Sequence, residues 1–306
     1  MGNLIIETKS IGKNYGKFAA VSDLSMQVKK GDIYALVGQN GAGKTTLLKM
    51  VCGLTPLSTG ELGLFGRSSS GSLEKSRSSI GSIIETPGFF PYLSARDNLE
   101  YYRIQRGCSD RSVVDGALRV VGLDKAGGKK FKNFSLGMKQ RLGLALAVMG
   151  NPELLVLDEP INGLDPMGIK EFRDIILKMN RERRTTVLIS SHILGELSQI
   201  ATIYGFIKKG RLIEHITAEE LKEKCRSYLR IDVDSPERAA DVLRNRLSCT
   251  KFQARGNALF IDERLDEPEV FIKALVENGV SVSQAYRSGI NLEQYFINLI
   301  GGEKNA

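Results

Sequence analysis

Apolar residues in the first third of the chain fall in short runs, Leu4–Ser10, Val21–Val28 and Ile33–Val37. The first two alternate apolar with polar positions and predict antiparallel strands; Ile33-Tyr34-Ala35-Leu36-Val37 is apolar throughout and predicts a strand buried on both faces. A helix-like run at Leu47–Val51 and a strand at Gly60–Phe65 follow, and the Ser/Gly-rich stretch Ser68–Ser72 reads as a mobile loop. Ile80–Glu85 is a short apolar run ending in a carboxylate, after which Thr86-Pro87-Gly88 breaks the chain. Ser94 is placed to cap a helix over Ala95–Arg106, with Asp97 and Glu100 in its first turns. Asp110 opens another helix to about Val121, and an apolar helix runs from Ser135 to Met149, so the stretch of about 86–150 is a mostly helical insertion. Buried-type strands return at Leu154–Leu157 and Thr186–Ser190, with a helix over Met167–Met179 between them.

The junction between the strand at 33–37 and the helix-like run after it is Gly38-Gln39-Asn40-Gly41-Ala42-Gly43-Lys44-Thr45-Thr46. It fits the phosphate-loop pattern G-x-x-x-x-G-K-[ST] in its strand–loop–helix context. Glycines at 38, 41 and 43 let successive backbone N–H groups aim at phosphate oxygens, and the helix N-terminus adds its unpaired amides and positive dipole end. Lys44 can bridge β- and γ-phosphates, and the Thr45 hydroxyl can ligate Mg²⁺. Farther on, the strand 154–157 delivers Asp158 and Glu159 at its C-terminal edge, where open α/β sheets bind ligands. One of these carboxylates can hold Mg²⁺ and the other can accept a proton from water. His192, one of only two histidines, lies just past the next buried strand.

Composition adds limits. With 306 residues, 42% apolar and 25% charged, the chain can build about two ordinary cores. The apolar stretch Leu142–Met149 is far short of a membrane span, and the start carries no signal-peptide pattern. Cysteines 52, 108, 225 and 249 have no metal-ligand spacing and are read as reduced thiols. A net charge of +8 is dispersed rather than clustered, so no specific nucleic-acid binding is expected.

Taken in order, these motifs resemble the ATP-binding cassette (ABC) family of transporter ATPases over about residues 1–215. Tyr15 matches its adenine-stacking aromatic, Gly38–Thr45 its Walker A loop and Leu154–Glu159 Walker B with the catalytic Glu. Phe134-Ser135-Leu136-Gly137-Met138 matches the signature usually written L-S-G-G-Q, Gly163-Leu164-Asp165 the D-loop and His192 the switch histidine. The resemblance implies a P-loop α/β core with an antiparallel β subdomain and a helical insertion. It also implies ATP and Mg²⁺ as ligands, with Tyr15, Gly38, Asn40, Gly41, Ala42, Gly43, Lys44, Thr45 and Thr46 around the nucleotide. Ser135, Gly137 and Asp165 would meet it across a head-to-tail homodimer or pseudo-dimer of cassettes. Thr45, Asp158 and Glu85 would serve the metal, and Glu159, His192, Lys44 and Glu85 the chemistry. Two departures stand out: Leu136 and Met138 replace Gly and Gln in the signature, and Glu85 stands where the family has its Q-loop Gln. The text Ile84-Glu85-Thr86-Pro87-Gly88-Phe89 looks like the bacitracin and lantibiotic resistance or immunity ATPases, which implies a peptide-antibiotic exporter, a separate integral membrane permease docked near Glu85–Arg106, and a cytoplasmic chain peripheral on the membrane's inner face.

Past the cassette, residues 216–306 repeat a pattern of strand Tyr228–Val233, helix Pro236–Leu247, strands near Thr250–Ala254 and Ala258–Asp262, helix Glu269–Glu277 and strand Val280–Ala285. That β-α-β-β-α-β order predicts a small ferredoxin-like α+β domain, closed by a helix at Leu292–Ile300 and bearing no catalytic constellation. Two other classes stay open at this point: a soluble cassette ATPase acting on ribosomes or DNA, and a regulatory subunit that binds without hydrolysing. An exporter of another substrate class is the third alternative.

Overall fold

The computed structural model describes residues 4–85 and 88–301, and its contacts divide them into two units, one closing at Ala218 and the other starting at Glu219. The first unit opens with β1 (Leu4–Tyr15) and β2 (Phe18–Lys29), then β3 (Ile33–Val37), α1 (Lys44–Cys52), β4 (Thr59–Leu64), α2 (Ser70–Arg77) and β5 (Ile80–Ile83). Three helices follow, α3 (Ala95–Gln105), α4 (Ser112–Val120) and α5 (Leu136–Val148). The unit ends with β6 (Leu154–Asp158), α6 (Pro166–Arg183), β7 (Thr186–Ser191), the short α7 (Leu194–Leu197), β8 (Ile203–Lys208) and β9 (Arg211–Thr217).

Every residue of β3 and β7, and the first four of β6, is buried. Strands covered on both faces must be apolar on both, which is why these segments read as unbroken runs. They belong to one sheet of order β5-β6-β7-β3-β8-β9, parallel except for β9. Because β6, β7 and β3 are neighbours, their C-terminal ends bring Asp158, Ser190 and Gly38 to one edge. A second sheet, β2-β1-β4, is antiparallel, and its Ile6, Ile11, Leu24 and Leu62 share one core with Leu36, Leu47, Leu154 and Leu188. At roughly 1.5–3 kcal/mol for each fully buried large apolar side chain, that shared core is the main force fixing the two sheets to each other.

The structure corrects one expected loop and lengthens several elements. Ser68–Ser72 is not a loop throughout: α2 starts at Ser70, and the Ser72 hydroxyl donates to the Ser69 carbonyl at 2.7 Å, so the serines act as a helix start. β1 and β2 extend to Tyr15 and Phe18, meeting in a tight hairpin. Helix α6 runs four residues past Met179, to Arg183, and ends on Arg184 in a left-handed conformation. Ser94 closes a reciprocal capping box with Asp97 at the start of α3. Thr86 and Pro87, expected to break the chain, lie outside the described residues.

The boundary between units falls in α8 (Ala218–Lys224), after which come β10 (Tyr228–Val233), α9 (Pro236–Leu247), β11 (Phe252–Arg255), β12 (Ala258–Ile261), α10 (Pro268–Glu277), β13 (Val282–Ser288) and α11 (Leu292–Gly301). The last strand sits two to three residues later than the apolar run suggested. Its sheet has the order β11-β12-β10-β13 and is antiparallel throughout. Leu229, Ile231, Leu259 and Ile261 point to one face, where Leu243 of α9 and Phe271 and Leu275 of α10 complete a separate core.

Candidate functional site

The loop after β3 is shaped by crowding and by φ. A Cβ on Gly38 would lie 2.5 Å from the Ile207 carbonyl oxygen, so only glycine fits there. Gly43 adopts φ +105°, and a Cβ on it would meet the Ala20 carbonyl oxygen at 2.5 Å. Gly43 is also the N-cap of α1 and brings no side-chain cap, leaving the first amides of the helix facing the loop. Asn40 and Gly41 are exposed at its tip, Ala42 is buried, and Thr45 and Thr46 are half-buried in the first turn of α1.

Lys44 is only 5% exposed. Its ammonium donates to the Gly38 and Gln39 carbonyls at 2.8 and 3.1 Å and pairs with Glu159 at 3.2 Å. The Thr45 hydroxyl donates to Asp158 Oδ2 at 2.6 Å, and Ser190 Oγ donates to Asp158 Oδ1 at 2.6 Å. Ser190 also accepts the Glu159 N–H at 2.9 Å. Glu159 holds φ +44°, a left-handed conformation that a non-glycine residue adopts at a cost and that is common at functional sites. Its second carboxylate oxygen lies 3.0 Å from His192 Nδ1. The sheet edge thus gathers Lys44, Thr45, Asp158, Glu159 and His192 into one hydrogen-bonded cluster, with Lys44, Thr45 and His192 around the two acids.

Glu85 is placed differently. It has φ +66° and pairs with Lys49 of α1 at 2.6 Å, with its side chain 69% exposed. The Glu85 carboxylate holds the Lys49 ammonium above its usual range, with smaller contributions from Tyr15 and Asp158. Tyr15 stands half-exposed at the tip of the β1–β2 hairpin, with the Lys13 ammonium 5.3 Å from its ring centroid. The same hairpin places the Ala20 carbonyl against Gly43 and hydrogen-bonds Ser22 N–H to the Gly210 carbonyl, which fixes Tyr15's strand beside the loop.

Ser135, Gly137 and Asp165 form a separate group at the starts of α5 and α6. Ser135 Oγ accepts the Met138 N–H at 3.3 Å, and Asp165 accepts the Gly168 N–H at 3.0 Å, each as a helix N-cap. Leu136 leans on Gly163, whose added Cβ would sit 3.2 Å from Leu136 Cδ2, and Leu164 leans on Gly137 at 3.8 Å. Among the described residues, neither the Ser135 nor the Asp165 side chain makes a hydrogen bond or ion pair with the Lys44 cluster. Sequence reasoning missed two residues, Ser190 in the first cluster and Lys49, the partner of Glu85. Ser190 could have been found from its place at the end of a strand beside the Asp158 strand, and Lys49 from its position one helical turn after Thr45.

No helix among the described residues is long and apolar enough to cross a membrane. A family model described as "ABC transporter" matches residues 21–162. The bacitracin transport ATP-binding protein BcrA of Enterococcus faecalis is 42% identical over 298 residues, covering 97% of this chain and 97% of that protein. The lantibiotic transport ATP-binding protein SrtF of Streptococcus pyogenes is 41% identical over 222 residues, covering 72% of this chain and 95% of its own. Among solved structures, cbiO1 from Clostridium perfringens, part of the ABC transporter complex cbiONQ, superposes with a TM-score of 0.66 at 26% identity, covering 72% of this chain and 92% of that one.

Proposed function

The chain belongs to the ATP-binding cassette transporter family and is an ATPase, and from that premise we propose that it energises a separate membrane permease that exports a peptide antibiotic. The observation that carries the catalytic part is the cluster in which Lys44, Thr45, Asp158, Glu159 and His192 meet within 2.6–3.2 Å. The peptide cargo rests on the bacitracin and lantibiotic relatives.

The donors suit the ligands assigned to them. Thr45 Oγ1 and Asp158 Oδ2 are hard oxygen ligands 2.6 Å apart, a pair suited to Mg²⁺ shared with substrate phosphates. Bound there, Mg²⁺ would neutralise charge on the β- and γ-phosphates. In the reading proposed, the glycine loop, the α1 amides and Lys44 hold the triphosphate, and Tyr15 stacks on the base. Ser190 keeps the Asp158 carboxylate turned toward Thr45. Glu159 takes a proton from the attacking water, and His192 steadies Glu159 through its other oxygen and contacts the γ-phosphate. Positioning and charge stabilisation supply the rate, because phosphoryl transfer asks little covalent chemistry of the protein. Ser135, Gly137 and Asp165 serve the nucleotide of a second cassette across a head-to-tail dimer, which is why they stand apart from the Lys44 cluster within one chain. Residues 1–215 act as the cassette and 216–306 as an accessory domain, and the chain works at the inner face of the membrane beside its permease. The exposed Phe90, Tyr92, Tyr101 and Ile104 offer the permease an apolar docking face.

The test uses a peptide-sensitive bacterium lacking its own copy of the system and carrying this chain with the membrane protein that co-purifies with it. Wild type should raise tolerance to a bacitracin-like peptide, and Glu159→Gln should remove that gain while the protein still binds ATP. Equal tolerance with both would end the exporter reading, whereas loss of phosphate release from the purified wild type would end the ATPase reading.

A further inference from the structure

The sheet of the C-terminal unit has one face covered by α9 and α10 and another on which neither of these helices lies. Register fixes what that second face shows. One row across it reads Gln253, Phe260, Arg230 and Tyr286, and the next carries Tyr228 beside Ser288. The alternate residues Leu229, Ile231, Leu259 and Ile261 are spent on the core. Exposed strand positions usually carry small polar or β-branched residues, whereas here aromatic rings and arginines alternate. Tyr228 meets Phe260 edge-on with centroids 5.2 Å apart. The Arg230 guanidinium lies 5.8 Å from the Phe260 ring and 5.7 Å from Tyr286, and Arg255 lies 5.9 Å from Phe260.

Cross-strand aromatic–arginine pairs alone could be a way to stabilise a wet sheet face. Two observations go further. A cleft of about 500 Å³ opens against this face, lined by Lys224, Arg226, Tyr228, Arg255, Phe260 and Asp262 among others. Its rim needs a glycine: Gly289 has φ +119°, and a Cβ there would lie 2.5 Å from the Arg226 carbonyl oxygen. The charges are also unbalanced. Arg226 takes both acids of the cleft, Asp262 at 2.9 Å and Glu223 at 3.3 Å. Arg255 donates to the Gln253 amide oxygen at 2.7 Å and, among the described residues, has no carboxylate within ion-pair distance.

We propose that this cleft is a second nucleotide site, taking a free mononucleotide with its base stacked on Phe260, Tyr228 edge-on beside that ring, and its phosphate on Arg255. Every base offers a π-face to an aromatic ring, and a guanidinium fork matches phosphate oxygens. Antiparallel four-stranded sheets with aromatics on their two central strands are an established platform for bases, and here β10 and β12 are the central strands. The site is independent of the loop around Lys44 and places a nucleotide sensor on the accessory unit of the ATPase.

The chain contains no tryptophan, so Phe260→Trp installs a single reporter that keeps the stacking surface. AMP and GMP should quench its fluorescence in the full-length protein, and inorganic phosphate should not. Adding Arg255→Ala or Tyr228→Ala should weaken that response at least about tenfold, and adding Lys44→Ala should leave it unchanged. Neither Arg255→Ala nor Tyr228→Ala alone should alter basal ATP hydrolysis, so failure here is separable from failure of the ATPase reading. Should Phe260→Trp disturb the sheet, calorimetry of the wild-type chain with AMP, compared with Phe260→Leu, reads the same site. No quench and no Phe260-dependent heat overturns the proposal. So does an oligouridylate that binds more than about tenfold tighter than UMP, since that marks an RNA surface instead.

Discussion

Ser190→Ala isolates the residue that holds the two acids in place. Ser190 is fully buried, donates to Asp158 at 2.6 Å and accepts the Glu159 amide at 2.9 Å. A hydrogen bond to a charged group contributes about 1.5–3 kcal/mol net, and an orphaned buried amide costs about 1–3 kcal/mol. Asp158 is only half-buried, so water recovers part of the first loss, and the combined effect should be about 2–3 kcal/mol. In a unit of this size each kcal/mol moves the melting temperature by about 2–4 °C, which gives a fall of roughly 4–12 °C. The rate should suffer as well, because the Glu159 backbone sits at φ +44° and Ser190 is what its amide holds. Loss of such an outer partner typically costs about 10–100-fold, and here it should appear mainly in kcat. The assay is thermal denaturation beside phosphate release over a range of ATP. Ser191→Ala is the control: Ser191 accepts the Ile193 N–H at 2.9 Å and touches neither acid of the cluster, so its cost should be about 1 kcal/mol with kcat nearly intact. Equal melting temperatures and rates for Ser190→Ala and wild type would refute the reasoning.

Lys44→Ala should abolish phosphate release and weaken ATP binding, because the loop loses its one buried cation; equilibrium binding with a fluorescent ATP analogue checks it, and unchanged affinity contradicts the role. Glu85→Gln should change stability by less than about 1 kcal/mol, since the pair with Lys49 is largely exposed, and should leave ATP affinity near wild type while altering peptide tolerance of the host; Glu85→Ala should be worse. The Cys52 thiol is pushed up to about 11 by burial and Cys249 up to about 12. Both should therefore be slow to react with iodoacetamide at pH 8, the Cys52 rate rising about tenfold per pH unit up to pH 10, as peptide mass spectrometry can follow; fast labelling of Cys52 at pH 8 would contradict its burial.

Much of this arrangement is legible in the residues because buried parallel strands have few ways to be written. Ile33–Val37 and Leu154–Leu157 are apolar on both faces, and the change to Gly-rich or acidic text marks where each strand leaves the sheet. Strand order has no such signature: nothing in the sequence says that β7 lies between β3 and β6, so from the residues alone Ser190 is one more buried strand residue. Glu85 reads as a departure from the family pattern, but its partner Lys49 sits 36 positions away and becomes visible only when α1 and the end of β5 meet. Ser68–Ser72 misled because serine and glycine favour turns locally, whereas Leu73 packs against the core and pulls the segment into α2. In the tail, the alternating pattern gave the βαββαβ order, while the aromatic–arginine face needed the register of four strands to emerge.

The pairing of Lys44 with Glu159 gives the site an order of events. A lysine only 5% exposed needs an anion close by, because an unpaired buried ammonium is costly. Glu159 supplies one at 3.2 Å, and while it does so one of its two oxygens is committed to Lys44. Its other oxygen is committed to His192 at 3.0 Å and its amide to Ser190. On the proposed reading, a triphosphate entering the loop would bring several negative charges to Lys44 and outcompete a single carboxylate. Lys44 then changes partner at little net loss, and Glu159 is left with one free oxygen, still aimed by Ser190 and His192. The acid that would activate water is, on the proposed reading, released by the phosphate it acts on, which would tie the base to the presence of substrate. Asp158 is not part of this exchange, since its oxygens face Thr45 and Ser190 rather than Lys44. On that reading the two adjacent carboxylates divide their work by geometry, Asp158 held toward Thr45 for a metal and Glu159 freed for the water.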